Sequence, residues 1–193
     1  SNRKGMAASL SNIGLIYKEQ GNYEQALEYY GESLKLNKEI GDKSKMAYAY
    51  GNIGVIYKNQ GNYSQALRYH GESLKIMQEA GDKRGIAASY SNMGIIYQEQ
   101  GNHEQALEYY GNALKIQEEI GDKKEIANSY SSIGRIYRAL KNYKQALPYY
   151  QKSLKIQEEI GNKQGIANAL ISIGFVYYNQ GNYKQALDLG KKG

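Results

Sequence analysis

The sequence predicts an all-α chain, a solenoid of stacked helical hairpins. Three observations carry that prediction. The stretch Gly101, Asn102, His103, Glu104, Gln105, Ala106 and Leu107 has near copies at 21–27, 61–67, 141–147 and 181–187, each starting 40 residues after the last. A second mark, Gly41-Asp42-Lys43, recurs with the same period at 81–83, at 121–123 and as Gly161-Asn162-Lys163. Between marks, apolar residues fall at helical spacing. A fixed period of this length means one supersecondary unit per repeat, stacked into many small cores in series.

Each mark is a helix boundary for a chemical reason. Glycine just past a helix end accepts the left-handed conformation that closes it. The Asn or Asp that follows caps the next helix, its side-chain oxygen accepting from a free N–H in the first turn. The first helix of each repeat (helix A) is therefore expected over 3–20, 43–60, 83–100, 123–140 and 163–180. The second (helix B) is expected over 23–40, 63–80, 103–120 and 143–160, each a rod of about 27 Å. The repeats are approximately 1–40, 41–80, 81–120, 121–160 and 161–193, read as a single array. Ser1-Asn2-Arg3 sits where later repeats have Gly-Asp-Lys, so the chain reads as a segment of a longer array. The fifth helix B starts at Tyr183 and is expected to break at 190–193. Such a stub leaves Ile173 and Tyr177 partly bare and predicts end-to-end homo-oligomerisation there.

Composition excludes several classes. There is no Cys, hence no disulfide and no thiolate metal site, and the expected setting is intracellular and cytoplasmic. No apolar run approaches the roughly 20 residues that span a membrane, and no signal peptide is visible. The net charge of +6 divides over the five repeats as 0, +2, −3, +4 and +3. A basic last third can serve partners or only solubility.

The packing is legible on a helical wheel. Tyr50, Ile53, Gly54 and Tyr57 lie within about 100° of one another and form one face, repeated by Tyr90, Met93, Gly94 and Tyr97. The glycine allows close approach of helix B. Its facing stripe is Ala66, Leu67, His70, Ser73, Leu74 and Ile76, with the small Ala66 and Ser73 expected to receive the tyrosines. His70 and His103 stand where other repeats have Tyr and read as aromatic stand-ins. Gly31, Gly71 and Gly111, inside helix B, are expected to permit close approach of the next repeat. Pro148 is expected to kink its helix.

The spacing Gly14, Tyr17, Gly21, Tyr23, Ala26 and Tyr30, found in every repeat with small departures, resembles the tetratricopeptide repeat (TPR). The likeness covers essentially the whole chain. The repeat is longer than the usual one, and Gly-Asp-Lys stands where a proline usually ends helix B. This extended form is similar to the repeats of kinesin light chain, of the spindle-orientation adaptor that binds GoLoco motifs, and of bacterial peptide receptors and signalling proteins. The resemblance implies a right-handed superhelical solenoid, here four full repeats plus a truncated fifth. It also implies a non-catalytic scaffold that binds a protein or peptide on a concave groove lined by the A helices.

Three lines of residues mark that face. Leu15, Val55, Ile95, Arg135 and Phe175 share one register position, about 150° from the core face; they read as contact with the neighbouring A helix, as a groove floor, or as both. Asn12, Asn52 and Asn92 share another, continued by Ser132 and Ser172. An amide donates and accepts, so these residues either hold a peptide backbone, as the resemblance implies, or bridge adjacent A helices. Lys18, Lys58, Gln98, Arg138 and Tyr178 form the other flank. Arg135 with Arg138 is expected to clamp a carboxylate of an acidic partner or of a free C-terminus; the plain alternative is solubility. Tyr48 is expected to add apolar contact.

No nucleophile with a base, phosphate loop or metal-ligand cluster is present in the sequence, so no enzyme activity, cofactor or metal is expected. Nucleic acid is disfavoured, because the groove-side aromatics Tyr48, Phe175 and Tyr178 are too sparse for a stacking platform. The competing functional reading is a self-associating or spacer segment of a larger signalling protein.

Overall fold

The capping residues and glycines set out ten helices, and these are the elements found. The computed structural model describes residues 2–190, and among them there is no strand. The helices form two compact units. The first holds α1 (Asn2–Glu19), α2 (Tyr23–Ile40), α3 (Lys43–Asn59), α4 (Tyr63–Ala80) and α5 (Lys83–Glu99). The second holds α6 (His103–Ile120), α7 (Lys123–Ala139), α8 (Tyr143–Glu159), α9 (Lys163–Asn179) and α10 (Tyr183–Gly190). Odd-numbered helices are the A helices. They stop one residue earlier than the spacing predicts, because Gln20, Gln60, Gln100, Leu140 and Gln180 belong to the turn. The expected break over 190–193 lies, beyond Gly190, outside the described residues.

The caps work largely as the residue types predict. Asp42, Asp82, Asp122 and Asn162 accept from Lys45, Gly85, Glu125 and Gly165 N–H, and Asn62, Asn102 and Asn142 do the same for their helices. Asn22 makes no such bond. The turn glycines all have positive φ, and Lys141 takes that conformation at the fourth A–B corner with φ 56°. A side chain in the left-handed region costs roughly 1–2 kcal/mol. Lys141→Gly is therefore expected to raise stability by about 1 kcal/mol after the entropy glycine adds to the unfolded chain; thermal or urea unfolding measures it.

Within a hairpin, glycine meets aromatic. A Cβ on Gly14 would lie 3.2 Å from the Tyr30 ring, one on Gly54 2.8 Å from His70 Nε2, and one on Gly134 2.9 Å from Tyr150. His70 is indeed an aromatic stand-in, 1% exposed, with no partner for Nδ1. Burial, helped by Lys58, holds its pKa down to about 4.

Two expectations about packing need correction. The A-helix tyrosines meet aromatic partners on helix B that the wheel did not assign to them. Tyr17, Tyr57 and Tyr137 stack on Tyr29, Tyr69 and Tyr149 of helix B, with centroids 5.4–5.5 Å apart. Ser73 donates instead to the Ala47 carbonyl at 3.0 Å, as Ser33 does to Ala7 and Ser153 to Ala127 at 2.8 Å. Gly31, Gly71 and Gly111 face open space rather than a neighbouring repeat. Gly31→Ala should then stabilise by about 1 kcal/mol through helix propensity alone, read by the same unfolding assay. Helix α8 extends from Tyr143 to Glu159 with Pro148 inside it.

The residues that join successive repeats lie beside the predicted stripe. Ile56 is fully buried with Ala26, Tyr30 and Leu34 of the preceding helix B, and Ile96, Ile136 and Val176 are fully buried at the same register. Leu15 packs against the same cluster as Ile56. Ile173 is buried, and Tyr177 packs beside it over Val176 and Tyr150.

Candidate functional site

The A helices expose one face because helix B covers the other. In the first unit this face carries Asn12, Leu15 and Lys18 on α1, Tyr48, Asn52, Val55 and Lys58 on α3, and Asn92 and Ile95 on α5. Asn12 and Tyr48 are exposed, while the others are half-buried. Asn52 bridges two A helices: its Oδ1 accepts from Lys18 Nζ at 3.1 Å and its Nδ2 donates to the Tyr48 carbonyl at 3.0 Å. One A helix further, Lys58 Nζ lies 3.7 Å from Glu99 Oε1. Lysine at this register thus ties one A helix to the next and holds the amide in a fixed orientation.

In the second unit the same register positions carry different chemistry. Arg135 is exposed, and its Nη2 donates to Ser132 Oγ at 3.1 Å. The Arg138 guanidinium lies 5.0 Å over the Phe175 ring, a cation–π contact that orients it. Ser172 donates to the Asn168 carbonyl at 2.9 Å, and the Tyr178 ring meets Tyr183 edge-on at 5.4 Å. Phe175 is 46% exposed and Ile171, one turn before it, 69%. Ile171 went unread in the sequence, although small residues or glycine hold its register elsewhere: Ser11, Gly51, Ser91 and Ser131.

Crevices between successive A helices have no counterpart among the residues marked by the repeat. One lies in the first unit, with a volume of about 330 Å³, between α1 and the start of α3. Another, of about 280 Å³, lies in the second unit between α7 and α9. Their floors are helix B residues, Asn37 and Gln157. The signal was slight, since that register reads Asn37, Met77, Gln117 and Gln157.

Among the described residues no group of three His, Cys, Asp or Glu side chains could hold a metal ion. No helix among them is long and apolar enough to cross a membrane. Strongly shifted tyrosines are structural: burial pushes Tyr30 up, and burial with the hydrogen bond to Glu118 pushes Tyr130 up to about 12.

Comparison with known proteins bears on the fold. No curated protein matches the chain in sequence. The structure of BtubC (BKLC) from P. vanneervenii superposes with a TM-score of 0.87 at 20% identity, covering 98% of this chain and 79% of that one. A Rap protein complexed with Competence and Sporulation Factor gives a TM-score of 0.77 at 21% identity, covering 95% of this chain and 51% of that one. A signal-transduction ATPase (STAND protein) with a tetratricopeptide repeat sensor from Pyrococcus horikoshii gives 0.86 at 25%, covering 96% of this chain and 29% of that one. The family model described as tetratricopeptide repeat matches residues 5–79, 45–119, 85–159 and 125–193. These matches run over nearly the whole length, with the helix pairs and glycine–aromatic contacts in register, and the chain belongs to the tetratricopeptide repeat family.

Proposed function

We propose that this array is a non-catalytic scaffold that binds a protein or peptide segment on its A-helix faces. The observation that carries the reading is the exposure of large apolar side chains there, Tyr48 at 47% in the first unit and Ile171 and Phe175, one turn apart, in the second. Large apolar side chains left exposed one turn apart on the same helix face mark a docking surface. Asn12 and Asn92 offer amides to a partner backbone, and Asn52 is held ready by Lys18. Arg138, fixed over Phe175, takes a carboxylate together with Arg135. The Rap protein seen with Competence and Sporulation Factor shares the fold and supports a binding role.

The test uses a partner captured by the full chain and mapped to a synthetic segment. Asn12→Ala/Asn52→Ala/Asn92→Ala is expected to weaken that segment about tenfold or more, at roughly 1 kcal/mol per lost hydrogen bond. Unchanged affinity in the folded variant removes the amide role. The exposed Tyr183 and Leu187 on α10 favour self-association as a second reading. Sedimentation over a concentration range decides it: growth in mass with concentration supports assembly, and a constant mass rejects it.

A further inference from the structure

The crevice between α1 and α3 differs from its counterparts in where its protons go. Its floor is Asn37, 3% exposed, and Ser11, also buried. Ser33 Oγ donates its proton to the Ala7 carbonyl at 2.8 Å. In the 2.7 Å contact between Ser11 and Ser33 the proton must therefore come from Ser11. Asn37 Nδ2 donates to the Ser33 carbonyl at 2.9 Å and to Ser33 Oγ at 3.2 Å. These bonds also orient the amide, because only nitrogen can face the carbonyl. Both floor residues have then given up their protons. What they present to the cavity is acceptors, the Asn37 Oδ1 and the lone pairs of Ser11. Among the described residues no donor reaches Asn37 Oδ1.

The rim has the opposite character. Lys4 and Lys45 line it without an ion-pair partner among the described residues, and the Tyr48 ring forms one wall. Asp42 lines it too; its Oδ1 accepts from the Lys45 N–H at 3.1 Å, and its charge offsets one lysine. A carboxylate brought to the floor would meet two acceptors and lose its water. An ammonium or guanidinium would meet two lysines on entry. A primary carboxamide fits both zones, its NH2 donating to the floor and its C=O accepting from a lysine. A volume of about 330 Å³, against about 30 Å³ for a water, holds a side chain of that length.

The equivalent floors lack this vacancy. Under α5 the residue is Met77, whose sulfur lies 2.5 Å from where a Cβ on Gly85 would stand. Under α9 it is Gln157, whose Oε1 already accepts from Asn162 Nδ2 at 2.8 Å.

We propose that the α1–α3 crevice is a specificity pocket for the carboxamide of a glutamine or asparagine on a bound polypeptide. It rests on the scaffold reading only for the carrier of that side chain. The probe is N-acetyl-glutamine methylamide, titrated into the full chain and followed by NMR at the Asn37 side-chain amide and Ser11. Saturable shifts are expected, with the glutamate analogue at least about tenfold weaker. Asn37→Met, which places the Met77 residue at the same register, is expected to abolish them in a folded protein. Ser11→Ala, at a register where Gly51 is accepted, should weaken binding severalfold and serves if the first variant misfolds. Absence of saturable shifts, glutamate binding as well as glutamine, or unchanged binding in either folded variant overturns the proposal. The scaffold reading fails separately, on the capture assay with the A-helix asparagines.

Discussion

Gly134→Val is expected to lower stability by about 3 kcal/mol, at the upper end of the usual cost of overpacking, and to drop the melting temperature by roughly 6–12 °C. The reason is geometric. A Cβ at Gly134 would stand 2.9 Å from Tyr150 Cε1, 3.0 Å from Cδ1 and 3.1 Å from Cζ. Tyr150 is wholly buried between α7 and α9 and has no room to swing away. The ring cannot give, so the helix must move, and every contact along α7 and α8 moves with it. The Ser153 bond to the Ala127 carbonyl reports that shift, because it joins the same two helices. A double-mutant cycle with Tyr150→Ala makes the prediction specific. Removing the ring costs about 3–5 kcal/mol by itself, but with the ring gone the added valine fills part of the hole. The two effects should then fall short of their sum by more than 1 kcal/mol, as expected for residues in contact. Strict additivity would show that the glycine is not there for the ring.

Acid is expected to destabilise the second repeat through His70. Burial, then Lys58, holds its folded pKa down to about 4, against an ordinary value of 6.5. Above pH 6.5 the ring is neutral in both states and contributes no pH dependence. Below 6.5 the unfolded chain takes up a proton that the folded chain refuses. Stability then falls by about 1.4 kcal/mol per pH unit until pH 4, for a total of roughly 3 kcal/mol. His70→Tyr restores the residue found at Tyr30 and Tyr150 opposite Gly14 and Gly134. That variant should lose this part of the slope. Exposed carboxylates paired with lysine, such as Glu79 with Lys43, also lose stability as they protonate, but equally in both proteins. The difference between the two unfolding curves isolates the histidine. A constant difference from pH 7 to pH 4 would mean that the folded ring titrates normally.

Some residues yielded their roles to local reasoning alone. The caps and the turn glycines act within a few residues of themselves, so their chemistry is visible in the order of the chain. That the A-helix glycine admits helix B was legible too, but which ring of the facing stripe meets it came only from the packing. Ile56 was harder. Its register is apolar in every repeat, yet a wheel drawn for one hairpin assigns it no partner, since its partners Ala26, Tyr30 and Leu34 belong to the repeat before. Serine read as merely small turned out to be a donor across helices, which depends on a carbonyl that the sequence does not locate.

The candidate site shows the same division. That Asn52 lies on the A-helix face follows from period and register. That its oxygen meets Lys18 depends on how close α1 comes to α3. Likewise Asn37 reads as one more helix B residue until the Ser11–Ser33 contact shows which way its amide faces.

By itself the sequence determined the helices, their ends to within about a residue, the repeat and the residues of each hairpin core. These rest on capping, propensity and periodicity, which operate over one or two turns. The tertiary structure alone decided which polar atoms are occupied and which are left open to a ligand. Hydrogen bonds form over distances of about 3 Å, and only the packing of one repeat on the next brings atoms from different helices within that reach.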